Sequence, residues 1–287
     1  MISGKGGTGK TSVIAAFAQL AAPAVVCDCD VDASNLPLIL NPDAEIHTEP
    51  YIGGYFVTLD KEKCLTCGEC KMVCRFDAIG FDPSDPDFPE FDFYMCEGCG
   101  ACVDICPAGA LSLVDRKCGT LYSSAMRFGP MVWAELGIAE GTSGKLVSLV
   151  RQHARVIAEK ENHDLILIDG SPGIGCPVIA SVTGVDTIVI VTEPSVSGLH
   201  DLERVGQLAN HFRIPTAVII NKWDLNEEMS EKIDNTARAM GMRIAGRIAF
   251  NRKFVDAMIA GKTIIEHADG ELEKEFRDMW DEINSTR

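Results

Sequence analysis

Short apolar runs alternate along most of the chain with longer segments whose apolar positions recur every three or four residues. The runs have the composition of buried strands, and the longer segments have the period of helices packed on one face. Strands are predicted at residues 24–29, 165–169, 187–191, 217–220 and 243–248. Helices are predicted at residues 12–20, 145–161, 198–212 and 227–240, and two more close the chain. This alternation predicts an α/β fold with a doubly wound, mostly parallel sheet.

The alternation is interrupted in the first half of the chain. Residues 55–59 form a short apolar run, and two cysteine-rich segments follow it, separated by an acidic loop at residues 82–92. Residues 118–143 have no clear period and are predicted to form an irregular connector, which includes Arg127. We therefore expect one α/β domain of residues 1–54 and 119–287, with a small α+β domain of residues 55–118 inserted into it.

A glycine-rich stretch precedes the first predicted helix. Residues 4–11 read G-K-G-G-T-G-K-T and fit G-x-x-x-x-G-K-[S/T], the phosphate-binding loop. Glycines let the backbone curl so that its N–H groups face phosphate oxygens, Lys10 adds a charge, and the Thr11 hydroxyl is placed to bind Mg²⁺. The helix N-terminus adds its dipole at the same point. The alternative is a glycine-rich turn that matches the motif by chance, but the strand-loop-helix context favours the phosphate site.

The start of the chain is short for this motif. Only Met1, Ile2 and Ser3 precede the loop, whereas a central strand has about five or six residues. Either the first strand is clipped or the natural start lies upstream. We expect the affinity for nucleotide to depend on whether the first strand is complete.

Acidic residues follow two of the apolar strands. Asp30 comes at the end of the first strand, and Asp169 ends the run Leu-Ile-Leu-Ile-Asp, the Walker-B pattern. Carboxyl ends of parallel strands face the ligand site, so Asp30 can position water or hold Mg²⁺, and Asp169 is expected to contact Mg²⁺. Asp32 and Asn35 are weaker candidates, and Asp32 has the alternative role of a helix cap.

Eight of the twelve cysteines form two copies of C-x-x-C-x-x-C-x-x-x-C. This is the spacing of bacterial two-cluster ferredoxins, in which the fourth cysteine of each copy binds the other cluster. One [4Fe–4S] cluster is therefore assigned to Cys64, Cys67, Cys70 and Cys106, and the other to Cys74, Cys96, Cys99 and Cys102. Two Cys₄ zinc sites are the alternative, but zinc motifs do not need the third cysteine or the C-x-x-x-C tail. Arg75 replaces the proline expected after the first copy.

Charge and composition limit the partners. The formal net charge is −16, which argues against nucleic acid as a main partner. Residues 51–115 hold 12 acidic and 4 basic residues, a net charge of −8, so we expect docking to a basic partner surface. No apolar run is long enough for a membrane span and no signal peptide is recognisable. We expect a cytoplasmic protein without disulfides.

The loop sequence K-G-G-T-G-K-T, with the additional Lys5, resembles the MinD/ParA family of ATPases. The resemblance implies a homodimer in which Lys5 reaches the nucleotide of the partner subunit. It also implies that Asp30 orients the attacking water, that Gly170–Gly175 form the second switch, and that Asn221 contacts adenine. Because Asn221–Asp224 also fit N-K-x-D, the guanine-reading motif, GTP is the alternative nucleotide. The nucleotide-binding residues are then Gly4, Lys5, Gly6, Gly7, Thr8, Gly9, Lys10, Thr11, Ser12 and Asn221, and the catalytic ones are Lys5, Lys10, Asp30 and Asp169.

Four cysteines lie outside the two copies. Cys27 and Cys29 fall in an apolar strand and are predicted to be core residues. Cys176 follows Asp169 at the offset of a cluster-binding cysteine in the nitrogenase iron protein, a relative of the family. We therefore hypothesise that Cys176, with or without Cys118, holds a metal or a transient cluster across the dimer, with a buried thiol as the alternative.

The whole pattern resembles MinD-superfamily ATPases with an inserted ferredoxin domain. The first interpretation is an ATPase whose nucleotide state gates electron transfer from two [4Fe–4S] clusters to a redox partner. The alternative is a carrier or maturation factor that releases clusters or metals to an apo-protein under nucleotide control. A third is a positioning ATPase with a structural insert.

Overall fold

The computed structural model describes residues 1–43, 45–82, 85–138, 140–141, 144–268 and 270–285, with backbone only at residues 82 and 85–87. The strands are β1 (Val25–Asp28), β2 (His47–Leu59), β3 (Ile79–Asp82), β4 (Asp85–Phe91), β5 (Leu111–Met126), β6 (Gly129–Leu136), β7 (Ile166–Asp169), β8 (Ile188–Thr192), β9 (Thr216–Asn221) and β10 (Arg243–Ile248). The helices are α1 (Lys10–Leu20), α2 (Leu36–Leu40), α3 (Glu69–Val73), α4 (Ala101–Ile105), α5 (Gly144–Glu161), α6 (Cys176–Val182), α7 (Val196–Phe212), α8 (Glu227–Ala239), α9 (Lys253–Ile259), α10 (Ile264–His267) and α11 (Gly270–Asn284). A 3₁₀ turn covers Trp223–Leu225.

The chain divides into two compact units. The larger contains Met1–Glu49, Leu121–Glu135 and Thr142–Arg287. The smaller contains Pro50–Thr120 and Leu136–Gly141, so the predicted insert of residues 55–118 lies inside its first segment. The strands β2, β5 and β6 contribute residues to both units.

The larger unit has the mostly parallel α/β architecture predicted from the alternation of strands and helices. One sheet has the strand order β2-β5-β6-β1-β7, and another has the order β10-β9-β8. The strand β1 is parallel to both of its neighbours, and β9 is parallel to β8 and β10. The strands β1, β8 and β9 are buried along their whole length, which explains their continuous apolar sequences.

The start of the chain lies between β7 and β8. Ile2 forms a bridge with Ile190 of β8, and the Met1 ammonium donates to the Ile168 carbonyl of β7 at 2.6 Å. Ser3 bridges Pro172, just beyond β7. The phosphate-binding loop therefore leaves the carboxyl edge of the sheet where α1 can pack back onto it. On α1, the buried Phe17 packs against Phe276 and Trp280 of α11, with ring centroids 5.8 Å and 5.2 Å apart.

The prediction of an irregular connector at residues 118–143 is wrong for much of that segment. It contains the end of β5 and all of β6, and β6 is parallel to β1 with Met131 beside Val26. The apolar run 131–134 is buried on both faces and was too short to be distinguished from a loop by its period. Arg127, in the turn between these strands, donates to the carbonyls of Ile39 and Gly261.

Three smaller predictions also need correction. The acidic loop at residues 82–92 contains β4, which pairs antiparallel with β3; residues 83 and 84 lie outside the described residues. The short strand predicted at residues 55–59 is the end of β2, which begins at His47. The segment predicted to hold two closing helices contains α9, α10 and α11. Within the described ranges, no helix is both long and apolar enough to cross a bilayer.

The close approach at Gly129 gives a test of this sheet. A Cβ added there would lie 2.1 Å from the Ala24 carbonyl oxygen, and the φ of Gly129 is 136°. We expect Gly129→Ala to lower the free energy of unfolding by about 1–3 kcal/mol, measured by urea denaturation. The matched variant Gly270→Ala, at the start of α11 with no atom near the new Cβ, should leave it unchanged or slightly higher. Equal losses in both variants would contradict this packing.

Candidate nucleotide site and cysteine cavities

The phosphate-binding loop has the backbone that its glycines allow. Gly7 and Gly9 have positive φ values of 81° and 91°, and α1 begins at Lys10. A Cβ on Gly9 would lie 2.3 Å from the Asn221 amide nitrogen, which donates to the Thr8 carbonyl at 2.7 Å. Asn221 therefore supports the loop from the carboxyl end of β9. The Thr8 hydroxyl oxygen is buried and has no hydrogen-bond partner, as expected of a group that meets a ligand oxygen.

Lys10, Thr11 and Asp169 are brought together at the carboxyl end of β7. The Lys10 ammonium lies 2.6 Å from one oxygen of Asp169, and the Thr11 hydroxyl donates to the other at 2.9 Å. Burial alone would lower the pKa of Lys10, but Asp169, together with Asp30 and Asp28, outweighs it and raises that pKa. The lysine is therefore charged, and it lies beside the two side chains predicted to hold Mg²⁺.

Asp30 faces the same ammonium. Its carboxylate oxygen is 3.6 Å from Lys10 Nζ. Burial raises the pKa of Asp30, Lys10 opposes that rise and Asp169 adds to it. A carboxylate beside a phosphate loop can accept a hydrogen bond from a bound water. Asp32 and Asn35 are exposed, and the Asn35 side chain makes no capping hydrogen bond to α2.

Asp28 is a residue that the sequence analysis missed. It is completely buried, it ends β1, and it lies beside Asp169 in the parallel register. Burial raises the pKa of Asp28 to about 7, and the Asp169 charge adds to the rise. The signal available in the sequence was an aspartate inside an otherwise apolar strand, since a buried carboxylate needs partners.

Lys5 and Lys222 share one carboxylate. Glu193 lies 2.7 Å from Lys5 Nζ and 2.9 Å from Lys222 Nζ. Lys5 also donates to the Ser197 hydroxyl at 2.8 Å, so in this structure it contacts its own chain. Its predicted reach to a partner subunit stays a prediction, and it would require these contacts to break.

The N-K-x-D residues are held by the protein itself. Asn221 contacts the phosphate loop, and one oxygen of Asp224 accepts from the Phe250 N–H at 2.6 Å. In a guanine-reading site this aspartate would face the base, whereas here it anchors the loop before α9. The predicted contact of Asn221 with adenine, and GTP as the alternative nucleotide, both stay predictions.

In the smaller unit, the eight repeated cysteines line two small, mainly apolar cavities, four cysteines in each. One cavity is lined by Cys74, Cys96, Cys99 and Cys102, and the other by Cys64, Cys67, Cys70 and Cys106. The fourth cysteine of each copy therefore lies with the first three of the other. These are the two sets assigned to [4Fe–4S] clusters from the spacing. Four cysteine sulfurs in each cavity are the ligands that such a cluster requires.

The two cysteine loops turn in the same way. Thr66 and Gly98 occupy corresponding positions with φ values of 51° and 61°, and α3 and α4 each start after a left-handed glycine, Gly68 or Gly100. The Thr66 N–H points to the Cys64 sulfur at 3.4 Å, and the Ala110 N–H points to the Cys106 sulfur at 3.3 Å. Such N–H···S contacts tune cluster potentials in iron–sulfur proteins.

Two Cys₄ zinc sites stay the alternative to clusters in this unit. A Cys₄ zinc site requires four sulfurs around one ion. Among the residues that the structure describes, no three His, Cys, Asp or Glu side chains are grouped closely enough to hold a metal ion.

The remaining cysteines have separate environments. Cys27 and Cys29 are fully buried in and after β1, as expected for core residues. Cys118 is buried against Gly53 in the smaller unit, where burial raises its pKa. Cys176 is exposed at the start of α6 in the larger unit. A shared metal at Cys118 and Cys176 stays a hypothesis.

The sequence matches the CobQ/CobB/MinD/ParA nucleotide binding domain over residues 1–264. The chain belongs to this family. It is 36% identical over 230 residues to the uncharacterized protein MJ0578 of Methanocaldococcus jannaschii, covering 79% of this chain and 78% of that protein. Its fold is similar to that of the septum site-determining protein MinD of Pyrococcus horikoshii complexed with Mg-ADP. The TM-score is 0.57, the identity is 17%, and 99% of this chain and 96% of that one are covered.

A shorter similarity is to a ferredoxin-type protein. Over 59 residues, the chain is 41% identical to the polyferredoxin MvhB of Methanothermobacter thermautotrophicus, covering 21% of this chain and 13% of that protein. These similarities confirm the predicted resemblance to a MinD/ParA-type P-loop protein with a ferredoxin-like insert.

The crossed cysteine sets predict which cluster each variant loses. Cys74→Ala should remove the cluster bound by Cys96, Cys99 and Cys102, and Cys106→Ala should remove the cluster bound by Cys64, Cys67 and Cys70. Each variant should retain about four of about eight iron atoms per chain after anaerobic purification, because the other four thiolates are intact.

The two single-cluster proteins should also differ in their EPR spectra. Combining Cys74→Ala with Cys96→Ala should cost no more iron than Cys74→Ala alone. A further loss of iron in that double variant would mean that each copy binds its own cluster.

Proposed function

We propose that this protein hydrolyses ATP and that its nucleotide state gates electron transfer from two [4Fe–4S] clusters to a partner. The observation that carries the proposal is that one chain combines the Lys10–Thr11–Asp169 site with two four-cysteine cavities. The similarity to MinD, whose structure contains Mg-ADP, and to a polyferredoxin supports the two halves separately.

At the nucleotide site, the chain's own side chains change partners when a triphosphate binds. The Lys10 ammonium, now on Asp169, would move to the outer phosphates, and Asp169 and Thr11 would then be available for Mg²⁺. Bound Mg²⁺ supplies charge neutralisation of the phosphates. Asp30 would accept a hydrogen bond from the attacking water, and Lys5 would leave Glu193 to meet the nucleotide of the second subunit in a homodimer.

In the insert, the two sets of cysteine thiolates hold the clusters and keep them in apolar surroundings. Bound [4Fe–4S] clusters supply one-electron transfer. The acidic residues of this unit favour a partner with a basic surface. The chain enters the smaller unit within β2 and returns to the larger unit within β5. The next strand, β6, is hydrogen-bonded to β1, the strand that leads to Asp30. This connectivity supports communication between the nucleotide switches and the insert.

A carrier function is the second candidate, because Cys176 is exposed directly after the predicted switch loop. A labile group held there would suit a factor that passes a cluster or metal to an apo-protein. Two complete sets of four cysteines, with no position left for an exchangeable ligand, favour retained clusters and hence electron transfer. Iron transfer to an apo-ferredoxin with ATP, absent with ADP and lost in Cys176→Ala, would favour the carrier function.

Lys10→Ala tests whether ATP hydrolysis and cluster binding are separable properties of the protein. The variant should lose ATP hydrolysis, at least about a hundredfold, because the phosphates lose their positive partner. The iron content and the brown absorbance should be unchanged, since no cysteine is affected. Hydrolysis would be measured by phosphate release and clusters by iron, sulfide and visible absorbance. Joint loss of clusters and hydrolysis would contradict the separation.

Gating predicts that the nucleotide changes the rate of electron transfer. Dithionite-reduced protein would be mixed in a stopped-flow instrument with cytochrome c, a basic acceptor, in the presence of Mg-ATP or Mg-ADP. We expect different rates with the two nucleotides in the wild type and equal rates in Lys10→Ala. The rates should fall as salt rises, because the acidic insert attracts the acceptor. Equal wild-type rates with ATP and ADP would refute gating.

A further inference from the structure

The carboxylate of Asp28 accepts hydrogen bonds from the loop that follows β1. One oxygen accepts from the Asp30 N–H at 2.9 Å. The other accepts from the Ser34 hydroxyl at 2.8 Å and from the Leu36 N–H at 3.3 Å. A single buried side chain therefore holds the beginning, the middle and the end of this loop.

Asp30 depends on this anchor for its position. It lies between β1 and α2, and its carbonyl accepts from the Ala33 N–H of the same loop at 3.0 Å. Its carboxylate lies 3.6 Å from Lys10 Nζ, at the site where the outer phosphates are expected. The far end of α2 is held separately, because Arg127 donates to the Ile39 carbonyl at 2.7 Å and pairs with Glu266 at 2.6 Å. Asp28 is the corresponding anchor at the Asp30 end.

A direct metal-binding role for Asp28 suits the geometry less well. Its oxygens already accept three hydrogen bonds, and its side chain is completely buried. Asp169 and Thr11, by contrast, meet at the phosphate loop itself. A carboxylate that accepts these three hydrogen bonds fixes the conformation of the loop that donates them.

We propose that Asp28 is a positioning residue that holds Asp30 in place beside Lys10 and thereby sets the rate of hydrolysis without setting nucleotide affinity. This inference rests on the proposed ATP hydrolysis. It assigns to Asp28 and Ser34 a role that the nucleotide-binding motif alone does not include.

The test uses Ser34, because it is half-buried and its replacement leaves the carboxylate in place. Ser34→Ala should lower kcat about three- to tenfold, the effect of one lost hydrogen bond, with the Kd for a fluorescent ATP analogue within about twofold. Ser34→Thr keeps the hydroxyl and should restore most of the rate. Asp28→Asn removes an acceptor and the charge, so it should lower kcat further.

Ser148→Ala is the matched control. That serine donates to the Gly144 carbonyl at 2.8 Å within α5, so its loss should leave both kcat and Kd unchanged. Any of three results would overturn this inference without affecting the proposed function. These are a wild-type kcat in Ser34→Ala, no recovery of the rate in Ser34→Thr, or a loss of nucleotide affinity parallel to the loss of kcat. A wild-type protein that binds ATP without hydrolysing it would overturn the proposed function and this inference with it.

Discussion

Buried charge at the carboxyl edge of β1 and β7 is the constraint on which the rest of the structure depends. The parallel register places Asp28 directly beside Asp169, both fully buried, and Lys10 is the nearby ammonium. Buried carboxylates of like charge destabilise a fold unless protons, cations or hydrogen bonds compensate them. Here Lys10 compensates Asp169, while Asp28 is compensated by loop hydrogen bonds and by a pKa raised to about 7. The excess of acid over base suits a site that takes a divalent cation together with an anionic phosphate chain.

The smaller unit is stabilised by different interactions from those of the larger unit. Its helices α3 and α4 are short, and most of its cysteines are only half-buried, so apolar burial contributes less here than in the larger unit. What organises it is the repetition of a tight left-handed loop that directs three sulfurs into one cavity. The fourth sulfur arrives from the other copy, so each cavity joins the two halves of the repeat. Cluster binding is therefore expected to contribute to the folding of this unit, as metal binding does in other small metallo-domains.

Where sequence reasoning failed, tertiary context had overridden local signals. The strand β4 is rich in acidic residues and proline, which predict a loop, yet its pairing with β3 makes it extended. The strand β6 was missed because its buried run is brief, and only its place beside β1 explains why that run is apolar. Asp28 was treated as part of an apolar strand, because a sequence does not show which donors will surround a carboxylate. Arg127 had no assigned role until its carbonyl partners on α2 and at Gly261 were seen.

The sequence alone determined the features that depend on local chemistry and spacing. The phosphate loop, the strand ending at Asp169 and the two cysteine repeats each need particular residues at fixed intervals, so they can be read without a structure. Only the tertiary structure decided which distant groups meet: Lys10 with Asp169, Lys5 with Glu193, Asn221 with Thr8, and Asp28 with the loop that carries Asp30. The reason is physical, because side chains far apart in the chain come together only through strand order and register, and these are set by the packing of the whole sheet.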